Sequence, residues 1–390
     1  MTKIEGSQTC RYARFGVNPS VQQKNGGWPG LLYSSRWLSV HSVTPWLIFL
    51  TLLVSSCKKY KPEEPEVPSA YSNGVLVLNE GLFQQNNSSM TWYAKGTDET
   101  FQGVFQSVNG RGLGDTANDM EFYSLGGNNY VIIAVDVSSQ IEIINADNLE
   151  SVAQIPLFNG ETAREPRRIA VYGNKAFVAC FDGTVAVIDL NNYAVTSIIG
   201  VGANPDGIVE AGGFIYVTNS GGLESPVYDS TISVINPTSL VVSSTLPSKI
   251  NCTEIVCSDE GFLYVLAAGN YSDIDPSLIK IDPTTEAVVT TFDLSIAAME
   301  KGENNELYYY NRADEKIYVM SLSAEVSTVL IDCSGYDTFY DLEIDASNNL
   351  IYTMDANGYV NSSTVRCYDL NGNFQFEFTA GLNATEMVFL

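Results

Sequence analysis

Short apolar runs separated by turn residues recur along most of the chain, and the clearest set lies between Pro205 and Leu240. The runs GIVEA, FIYVTN and TISVIN are rich in Val, Ile, Thr and Tyr, and VVSSTL follows them directly. Alternation of such residues is typical of β-strands, and the pair Gly212-Gly213 between the first two runs is typical of a tight hairpin turn. The pattern therefore predicts a four-stranded antiparallel meander.

The same four-run unit recurs from Gly74 to the end of the chain. A single meander presents two apolar faces and cannot bury both, so copies of it have to pack side by side. We name the strands of each unit A to D, from the inside outward. Strand A of each complete unit is predicted at Asn118–Ser124, Arg168–Tyr172, the GIVEA run, Thr253–Ser258, Ala298–Lys301 and Tyr340–Asp345.

The two ends of the repeat region complete one further unit. Ala384–Leu390 matches strand A, and strands B, C and D are matched by Gly74–Leu78, Ser89–Tyr93 and Phe101–Phe105. Seven such units predict an all-β fold, a seven-bladed β-propeller of four-stranded antiparallel blades over residues 74–390. Pairing the N-terminal and C-terminal strands in one blade removes the free edges that an open array would expose.

The first 56 residues differ in kind from the repeats. Val43–Val54 is an apolar run too short for a comfortable membrane span, and it is followed by Ser55-Ser56-Cys57. This arrangement resembles a bacterial lipoprotein signal, so residues 1–56 are predicted to be a leader and Cys57 the lipidated residue. The alternative is a buried core segment. Residues 57–73 are rich in Lys, Pro and Glu and are predicted to form an extended tether.

Charge and histidine content narrow the possible functions. The formal net charge is −25, which disfavours a nucleic-acid partner because phosphates require a basic surface. The single histidine, His41, lies in the predicted leader. Without it the chain cannot build a Ser-His-Asp or Cys-His catalytic group, nor a His-ligated zinc or haem. We therefore expect neither enzymatic activity nor a cofactor or resident metal.

Loop lengths indicate where a binding site should lie. The A–B turns are tight, whereas the long loops connect B to C or D to A, and in a meander both kinds emerge on the same face of the ring. Loops on a rigid scaffold commonly carry binding residues. Stacking and hydrogen-bonding candidates on these loops are Phe83, Tyr228, Tyr271, Tyr359, Asn219, Asn270, Arg111 and Arg312. The alternative for each is that it anchors its own loop.

Alignment of the A strands gives a second set of candidates around the channel of the ring. The position before the first apolar residue is Asp119, Arg168, Gly207, Glu254, Met299, Asp341 or Glu386 in successive blades. One interpretation is a ring that binds a cation or a polar ligand. The other is that these acids accept hydrogen bonds from neighbouring backbone N–H groups. Arg168, with Arg164 and Arg167 nearby, argues against a bare cation site.

The residues Tyr216-Val217-Thr218-Asn219, preceded by VGANPDGI and followed by TISVIN, resemble the YVTN-repeat (YncE-like) β-propellers. Asn79-Glu80-Gly81 and Ala268-Gly269-Asn270-Tyr271 resemble a narrower group, the propeller surface lipoproteins of Bacteroidetes, which includes cobalamin-binding BtuG-type proteins. The Lys-then-acid run after Cys57 is similar to the surface-export signal of that group. This resemblance implies a lipid-anchored outer-membrane protein at the cell surface that holds a small ligand, cobalamin or another corrinoid, for a TonB-dependent transporter.

Two other classes of function remain open. The same face of the propeller could serve adhesion or scaffolding by binding a protein or a glycan. A propeller enzyme, a lyase or a quinoprotein, would have to use tyrosine or carboxylate chemistry in place of histidine.

Overall fold

The computed structural model describes residue 68 and residues 70–390, which form seven four-stranded antiparallel sheets in a ring. Residues 1–56, Cys57 and most of the predicted tether lie outside the described residues. The seven-bladed propeller predicted from the sequence is confirmed. Because the closing blade holds the first strands, we number it blade 1 and the others follow along the chain.

The strands and helices have the following bounds. Blade 1 begins with β1 (Gly74–Asn79), β2 (Ser89–Ala94) and β3 (Glu99–Gln102), and the helix α1 (Val104–Asn109) follows. Blade 2 has β4 (Ala117–Leu125), β5 (Asn128–Val135), β6 (Gln140–Asn145) and β7 (Ser151–Pro156), and a small hairpin of β8 (Phe158–Asn159) and β9 (Thr162–Ala163) follows. Blade 3 has β10 (Pro166–Tyr172), β11 (Lys175–Cys180), β12 (Thr184–Asp189) and β13 (Ala194–Gly200). Blade 4 has β14 (Pro205–Ala211), β15 (Phe214–Asn219), β16 (Thr231–Asn236) and β17 (Val241–Pro247).

Blades 5 to 7 repeat the pattern. Blade 5 has β18 (Cys252–Cys257), β19 (Leu263–Ala267), β20 (Ser277–Asp282) and β21 (Ala287–Phe292). Blade 6 has β22 (Ile296–Lys301), β23 (Glu306–Asn311), β24 (Lys316–Ser321) and β25 (Val326–Asp332). Blade 7 has β26 (Phe339–Asp345), β27 (Leu350–Asp355), a 3₁₀ turn (Asn357–Tyr359), β28 (Ser362–Asp369) and β29 (Phe374–Leu382). The last strand, β30 (Ala384–Phe389), is strand A of blade 1.

Blade 1 is closed by the two ends of the repeat region, as predicted. Its strand order is β3-β2-β1-β30, and Leu76 pairs with Trp92 on one side and with Val388 on the other. The amide of Gly74 donates to the carbonyl of Leu390 over 2.9 Å, and the amide of Leu390 donates back over 3.1 Å. These bonds lie where the A–B turn lies in the other six blades. Both ends of the repeat region are therefore on the face that carries the short turns.

The prediction of strand D of blade 1 at Phe101–Phe105 is wrong in its second half. The strand ends at Gln102, Gly103 adopts a left-handed conformation (φ 62°), and α1 begins at Val104. Val104 and Phe105 are fully buried in the core between blades 1 and 2. Their apolar character reflects this packing, which a strand and a short helix satisfy equally well.

The core lies between neighbouring blades. Leu76 and Leu78 of blade 1, for example, share one apolar cluster with Val131 and Ile133 of blade 2. Burial of a side chain of this size contributes about 1.5–3 kcal/mol, and each cluster repeats this across a blade interface. The ring is thus held together by packing of sheet against sheet, with the inner strands left to line a channel.

The chain enters this core at Tyr71. Its ring is 2% exposed and packs edge-to-face on Trp92, with 5.3 Å between ring centroids. Its backbone amide donates to the carbonyl of Asp147, in the C–D turn of blade 2. The C–D and A–B turns lie on one face, which we call the short-turn face; the B–C and D–A loops lie on the opposite face, the long-loop face. Tyr71 therefore fixes the incoming chain at the short-turn face.

Candidate functional site

The seven A strands surround a central cavity of about 560 Å³ with a strongly acidic lining. Its lining carries two basic residues, Arg168 and Lys301. The lining carboxylates are Asp119, Glu121, Glu210, Glu254, Glu300, Asp341, Glu343 and Glu386. Cavities of this volume are typical of small-ligand sites.

The upper layer of this cavity contains the ring residues picked out in the sequence. Arg168 extends across it, with 2.6 Å to the Glu386 carboxylate, 3.4 Å to Asp119 and 3.8 Å to Glu254. These partners belong to blades 1, 2 and 5, so one guanidinium ties four inner strands together. A cation in this layer would have to compete with Arg168 for the same carboxylates.

Three of the ring acids also accept backbone hydrogen bonds, as the second interpretation requires: Asp341 accepts from the amide of its own neighbour Leu342 over 3.1 Å, and two others accept from a neighbouring blade. Asp119 accepts from the amide of Ile169 over 2.7 Å, and Glu254 accepts from the amide of Met299 over 3.2 Å. In each case the donor belongs to strand A of the next blade. The upper acids therefore lock neighbouring blades in register.

The sequence alignment was wrong for blade 6. In every blade, the pairing of strand A with strand B shifts register just after the first residue of strand A. The ring position, which is the position occupied by Asp119 in blade 2 and Asp341 in blade 7, lies just beyond this shift. There it pairs with the penultimate residue of strand B: Asp119 pairs with Ala134, and Asp341 pairs with Met354. In blade 6 the residue opposite Tyr310 is Ala298, whereas Met299 is one position further along and is buried in an apolar cluster. In blade 6 the apolar residues begin before the ring position. An alignment based on the first apolar residue therefore placed Met299 at the ring position, one residue too late.

That displacement concealed a second, lower layer. Two residues beyond the ring position stand Glu121, Glu300 and Glu343, on blades 2, 6 and 7. The equivalent residues of blades 3, 4 and 5 are Ala170, Val209 and Val256, and that of blade 1 is Val388. The three glutamates therefore lie on blades 6, 7 and 2, on either side of the valine of blade 1, and the rest of this layer is apolar. Aligning each A strand on its partner in strand B would have found these residues.

The three lower glutamates have raised pKa values. Burial, and after it the charge of the Glu386 carboxylate, raise the pKa of Glu121 to about 8. The Glu121 side chain is exposed to the channel, where it lies among the other carboxylates of the lining. Burial and then the Glu386 charge also hold the pKa values of Glu300 and Glu343 well above the ordinary value.

These raised pKa values predict that the protein is less stable at pH 8 than at pH 5. The folded state keeps protons that the unfolded state releases near pH 4.5, so the free energy of unfolding falls as the pH rises from about 4.5 to about 8. The triple variant Glu121→Gln/Glu300→Gln/Glu343→Gln should remove most of this loss and gain about 1–2 kcal/mol at pH 8, after allowance for water in the channel. Urea denaturation at the two pH values measures it. Glu303→Gln, on an exposed turn, is the control; an unchanged pH dependence in the triple variant would contradict the prediction.

The aromatic candidates gather on the long-loop face above the channel. Burial raises the pKa of Tyr271, whereas a hydrogen bond with Asn251 and the charge of Arg312 lower it, and Tyr228 also lies close enough to act on it. Burial raises the pKa of Tyr359, and the same Arg312 charge opposes this. We call Tyr228, Tyr271, Arg312 and Tyr359 the cup. Four different loops supply it, and Arg312 is common to both interactions.

Beside the cup, a crevice of about 200 Å³ opens between blades 6 and 7. Arg312, Tyr336 and Phe339 are among its lining residues. The rings of Phe339 and Tyr310 stack in parallel with 3.8 Å between their centroids. Arg312 therefore belongs both to the cup and to the lining of this crevice. Phe83 is half-buried on the blade 1 loop of the same face.

Two predicted ligand residues instead organise their own loops. Asn219 is fully buried; its oxygen accepts from the amide of Gly202, and its nitrogen donates to Thr231 and Ser233. Gly202 has to be glycine, because a Cβ there would lie 2.4 Å from Asn219. Asn270 accepts from the amides of residues 272, 273 and 274 and donates to Asp273. The loop-anchor alternative therefore holds for both.

Arg111 also has a structural partner. Its guanidinium lies 2.7 Å from Glu142 and 2.9 Å from Ser151, on the outer strands of blade 2, and it covers the ring of Phe105 at 5.0 Å. The structure thus separates Arg111 from the cup. A D–A loop starts from strand D, the outermost strand of a blade, and therefore begins far from the channel. Arg111 lies in this outer part of its loop.

The channel mouth contains an ionic group that sequence reasoning did not pick out as a site. Arg167 lies 3.0 Å from Asp136 and 3.4 Å from Asp206, and it stacks on Phe181 at 4.4 Å. Burial raises the pKa of Asp136 to about 6, although the Arg167 charge opposes this. Arg167 bridges blades 2 and 4. The sequence signal that could have identified it is its position directly before Arg168, the ring residue of blade 3.

Metal-binding clusters and membrane-spanning helices are both absent from residues 70–390. This part of the chain contains no group of three or more His, Cys, Asp or Glu residues arranged to hold a metal ion. None of its helices is long and apolar enough to cross a membrane.

The fold and its cavity define the class of protein: a seven-bladed β-propeller with an acidic central channel that opens under a tyrosine- and arginine-lined face. Residues 73–374 match the family model described as a domain of unknown function, DUF5074. The chain belongs to this family.

Similar solved structures share the fold. One is a quinonprotein alcohol dehydrogenase-like protein from Bacteroides thetaiotaomicron, with 14% identity, a TM-score of 0.57, and coverage of 82% of this chain and 79% of that one. Another is the hydrazine synthase of Kuenenia stuttgartiensis, with 16% identity, a TM-score of 0.52, and coverage of 62% of this chain and 74% of that one. No curated protein matches the sequence. At these identities the likeness concerns the propeller alone.

Proposed function

We propose that this protein is a non-enzymatic binding propeller that holds a small ligand in the cup and the channel below it. The observation that carries the proposal is the convergence of Tyr228, Tyr271, Tyr359 and Arg312 from four loops over a cavity of about 560 Å³. Tyrosine rings provide flat apolar contact with a polar edge, and a guanidinium provides directed hydrogen bonds. Loops fixed by buried asparagines such as Asn219 present these groups without a large ordering cost.

The more specific form of the proposal is a lipid anchor at Cys57, a place on the outer-membrane surface, and a corrinoid such as cobalamin delivered to a TonB-dependent transporter. Its support is the sequence resemblance together with the shape of the face. A corrinoid is larger than the channel cavity, so its ring would lie on the cup tyrosines. Its amide side chains would point toward the channel carboxylates, which accept hydrogen bonds.

The test is equilibrium binding of cyanocobalamin to the purified chain, measured by calorimetry. We expect micromolar or tighter binding, and a loss of at least tenfold in the variant Tyr228→Ala/Tyr271→Ala/Arg312→Ala, since each stacking contact contributes about 0.5–1.5 kcal/mol. Tyr172→Ala, at the short-turn end of β10, is the matched control and should bind normally. No binding at micromolar concentration would refute the corrinoid; equal binding by the triple variant would refute the cup.

The exposed apolar loop tips favour a second candidate function. Val227 and Val360 are 72% and 69% exposed, and Leu223 and Ile274 are also exposed, all on loops of the long-loop face. Exposed apolar side chains on one face are typical of surfaces that bind a protein or a glycan. Binding to a glycan array or to a protein partner that is lost in Val227→Ser/Val360→Ser, with no small-molecule binding, would favour this adhesion or scaffold function.

A further inference from the structure

The crevice between blades 6 and 7 combines an aromatic wall with charges of both signs. It lies on the long-loop face, where the B–C hairpin of blade 6 meets the D–A loop that leads into blade 7. Its volume of about 200 Å³ is below the range of about 300–1,000 Å³ that is usual for drug-sized ligands, so it suits a smaller molecule. The wall contains Tyr310, Tyr336 and Phe339, and the charged lining residues are Arg312, Glu315 and Asp337.

The blade 7 side of the crevice is held rigidly from below. The hydroxyl of Tyr336 shares hydrogen bonds with the hydroxyls of Thr353, at 2.6 Å, and Tyr368, at 2.9 Å. The guanidinium of Arg366 stacks on the Tyr336 ring at 4.3 Å and donates to the carboxylate of Asp355 over 3.2 Å. Asp355 is 1% exposed, and it also accepts the backbone amides of residues 337 and 338 over 3.1 Å and 2.9 Å. A ligand in the crevice therefore does not have to order this loop when it binds.

The opposite charges of the crevice lie close to one another. Burial, and after it the charges of Cys333 and Glu315, raise the pKa of Tyr310 to about 12, although the charge of Arg312 opposes this. One ring is therefore near both an acidic and a basic side chain. The Asp337 carboxylate lies against the turn that carries Tyr359, since a Cβ at Gly358 would be 3.2 Å from its Oδ2 atom. Glu315 and Asp337 are exposed, so both carboxylates are accessible to a ligand.

We propose that this crevice binds a compact zwitterion, an α-amino acid with an apolar side chain. The carboxylate of the amino acid lies on the guanidinium of Arg312, whose planar fork matches it, and the ammonium donates to the carboxylates of Glu315 and Asp337. The apolar side chain contacts the aromatic wall, where the rings of Tyr310 and Phe339 stack at 3.8 Å.

The mixture of charges disfavours simpler ligands. A ligand with only negative charge would meet two carboxylates, and a ligand with only positive charge would meet the guanidinium. A molecule that carries both charges satisfies all three groups. This site is additional to the cup, although Arg312 contributes to both, and it requires neither a corrinoid nor a lipid anchor.

The experiment titrates the purified chain with three compounds that share one carbon skeleton, and ligand-observed NMR measures each Kd. At about pH 6.5, L-leucine carries both charges, L-leucinamide only the ammonium and 4-methylpentanoate only the carboxylate. We expect a Kd of about 1 mM or tighter for leucine and at least tenfold weaker binding of each analogue, since each lacks one charge-assisted hydrogen-bonding group. Absence of leucine binding at about 10 mM, or equal binding of leucine and either analogue, would overturn the inference.

A pair of double variants tests the location of the site. Glu315→Gln/Asp337→Asn should weaken leucine binding at least tenfold but leave binding of 4-methylpentanoate no weaker, because it removes only the groups that hold the ammonium. Asp147→Asn/Glu303→Gln removes the same two residue types from exposed turns of the short-turn face and should bind leucine normally. Equal leucine affinity in the two variants would overturn the inference.

The leucine titration and the cyanocobalamin titration fail independently. Neither Glu315 nor Asp337 belongs to the cup, and the leucine titration is carried out without a corrinoid. Leucine binding that depends on these two carboxylates, with no binding of cyanocobalamin, would support this site and refute the corrinoid alone. Cyanocobalamin binding without leucine binding would refute this site alone.

Discussion

Deletion of residues 384–390 should abolish cooperative folding of the propeller. The deletion removes β30, whose Ala384, Met387 and Val388 are buried and which supplies the inner strand of blade 1. Loss of three or four apolar side chains at about 1.5–3 kcal/mol each is comparable with the whole stability of a typical domain, about 5–15 kcal/mol. It also exposes the edge of β1 between two blades. Near-UV circular dichroism and thermal unfolding of the truncated chain measure the effect.

A circular permutant separates the loss of the strand from the loss of the terminus. In this variant Leu390 is joined to Gly74 by a short glycine linker, and the chain is opened between Gly212 and Gly213. Both glycines have positive φ, and the space around them is open. We expect the permutant to fold cooperatively, with a midpoint lowered only by the loss of the packing of Tyr71 on Trp92. If the truncated chain unfolded as cooperatively as the permutant, blade 1 would not close the ring in the manner described.

Substitution of Arg168 by Met should cost about 2–4 kcal/mol at pH 7.5. The change leaves the carboxylates of Asp119, Glu254 and Glu386 facing one another without their cation. Removing one partner of a buried ion pair typically costs about 3–5 kcal/mol, and we lower this range because a fifth of the Arg168 side chain is exposed. Chemical denaturation of the parent and the variant measures the difference.

Two further variants test whether the effect of Arg168→Met arises in the channel. Lys316→Met changes the net charge of the protein equally, but Lys316 is paired with Asp314 on the surface, at 3.8 Å, so it should cost less than about 1 kcal/mol. The double variant Arg168→Met/Glu386→Gln removes one of the opposed charges and should recover part of the loss. Equal losses in Arg168→Met and Lys316→Met would indicate a general charge effect and would contradict the role assigned to Arg168.

The sequence predicted the number of blades and their closure because these follow from strand periodicity and turn chemistry. In a meander with tight turns such as Gly212-Gly213, the spacing of apolar runs leaves one pairing order. The failure at Phe101–Phe105 has a physical reason: burial requires apolar side chains at Val104 and Phe105 whether the backbone is a strand or a helix. Periodicity over five residues does not distinguish the two.

The site was harder to predict because its residues meet only after the ring closes. The ring position is set by a register shift near the start of strand A, which the pattern of apolar residues does not mark in blade 6. One displaced residue was enough to hide Glu121, Glu300 and Glu343 as a group. Asn219 was misjudged for a related reason, since a polar residue at a loop start has the same sequence signature whether it binds a ligand or the amide of Gly202.

The position of β1 within blade 1 determines how the molecule bears mechanical load. A force applied to the chain just before Tyr71 first meets the buried Tyr71 ring and then acts on Gly74 along the axis of β1, which pairs antiparallel with β2 on one side and β30 on the other. Because the hydrogen bonds of antiparallel strands are perpendicular to the strand axis, this force shears both ladders at once and does not peel one bond after another. Force applied at the start of the propeller therefore acts in the direction in which its closing blade is strongest.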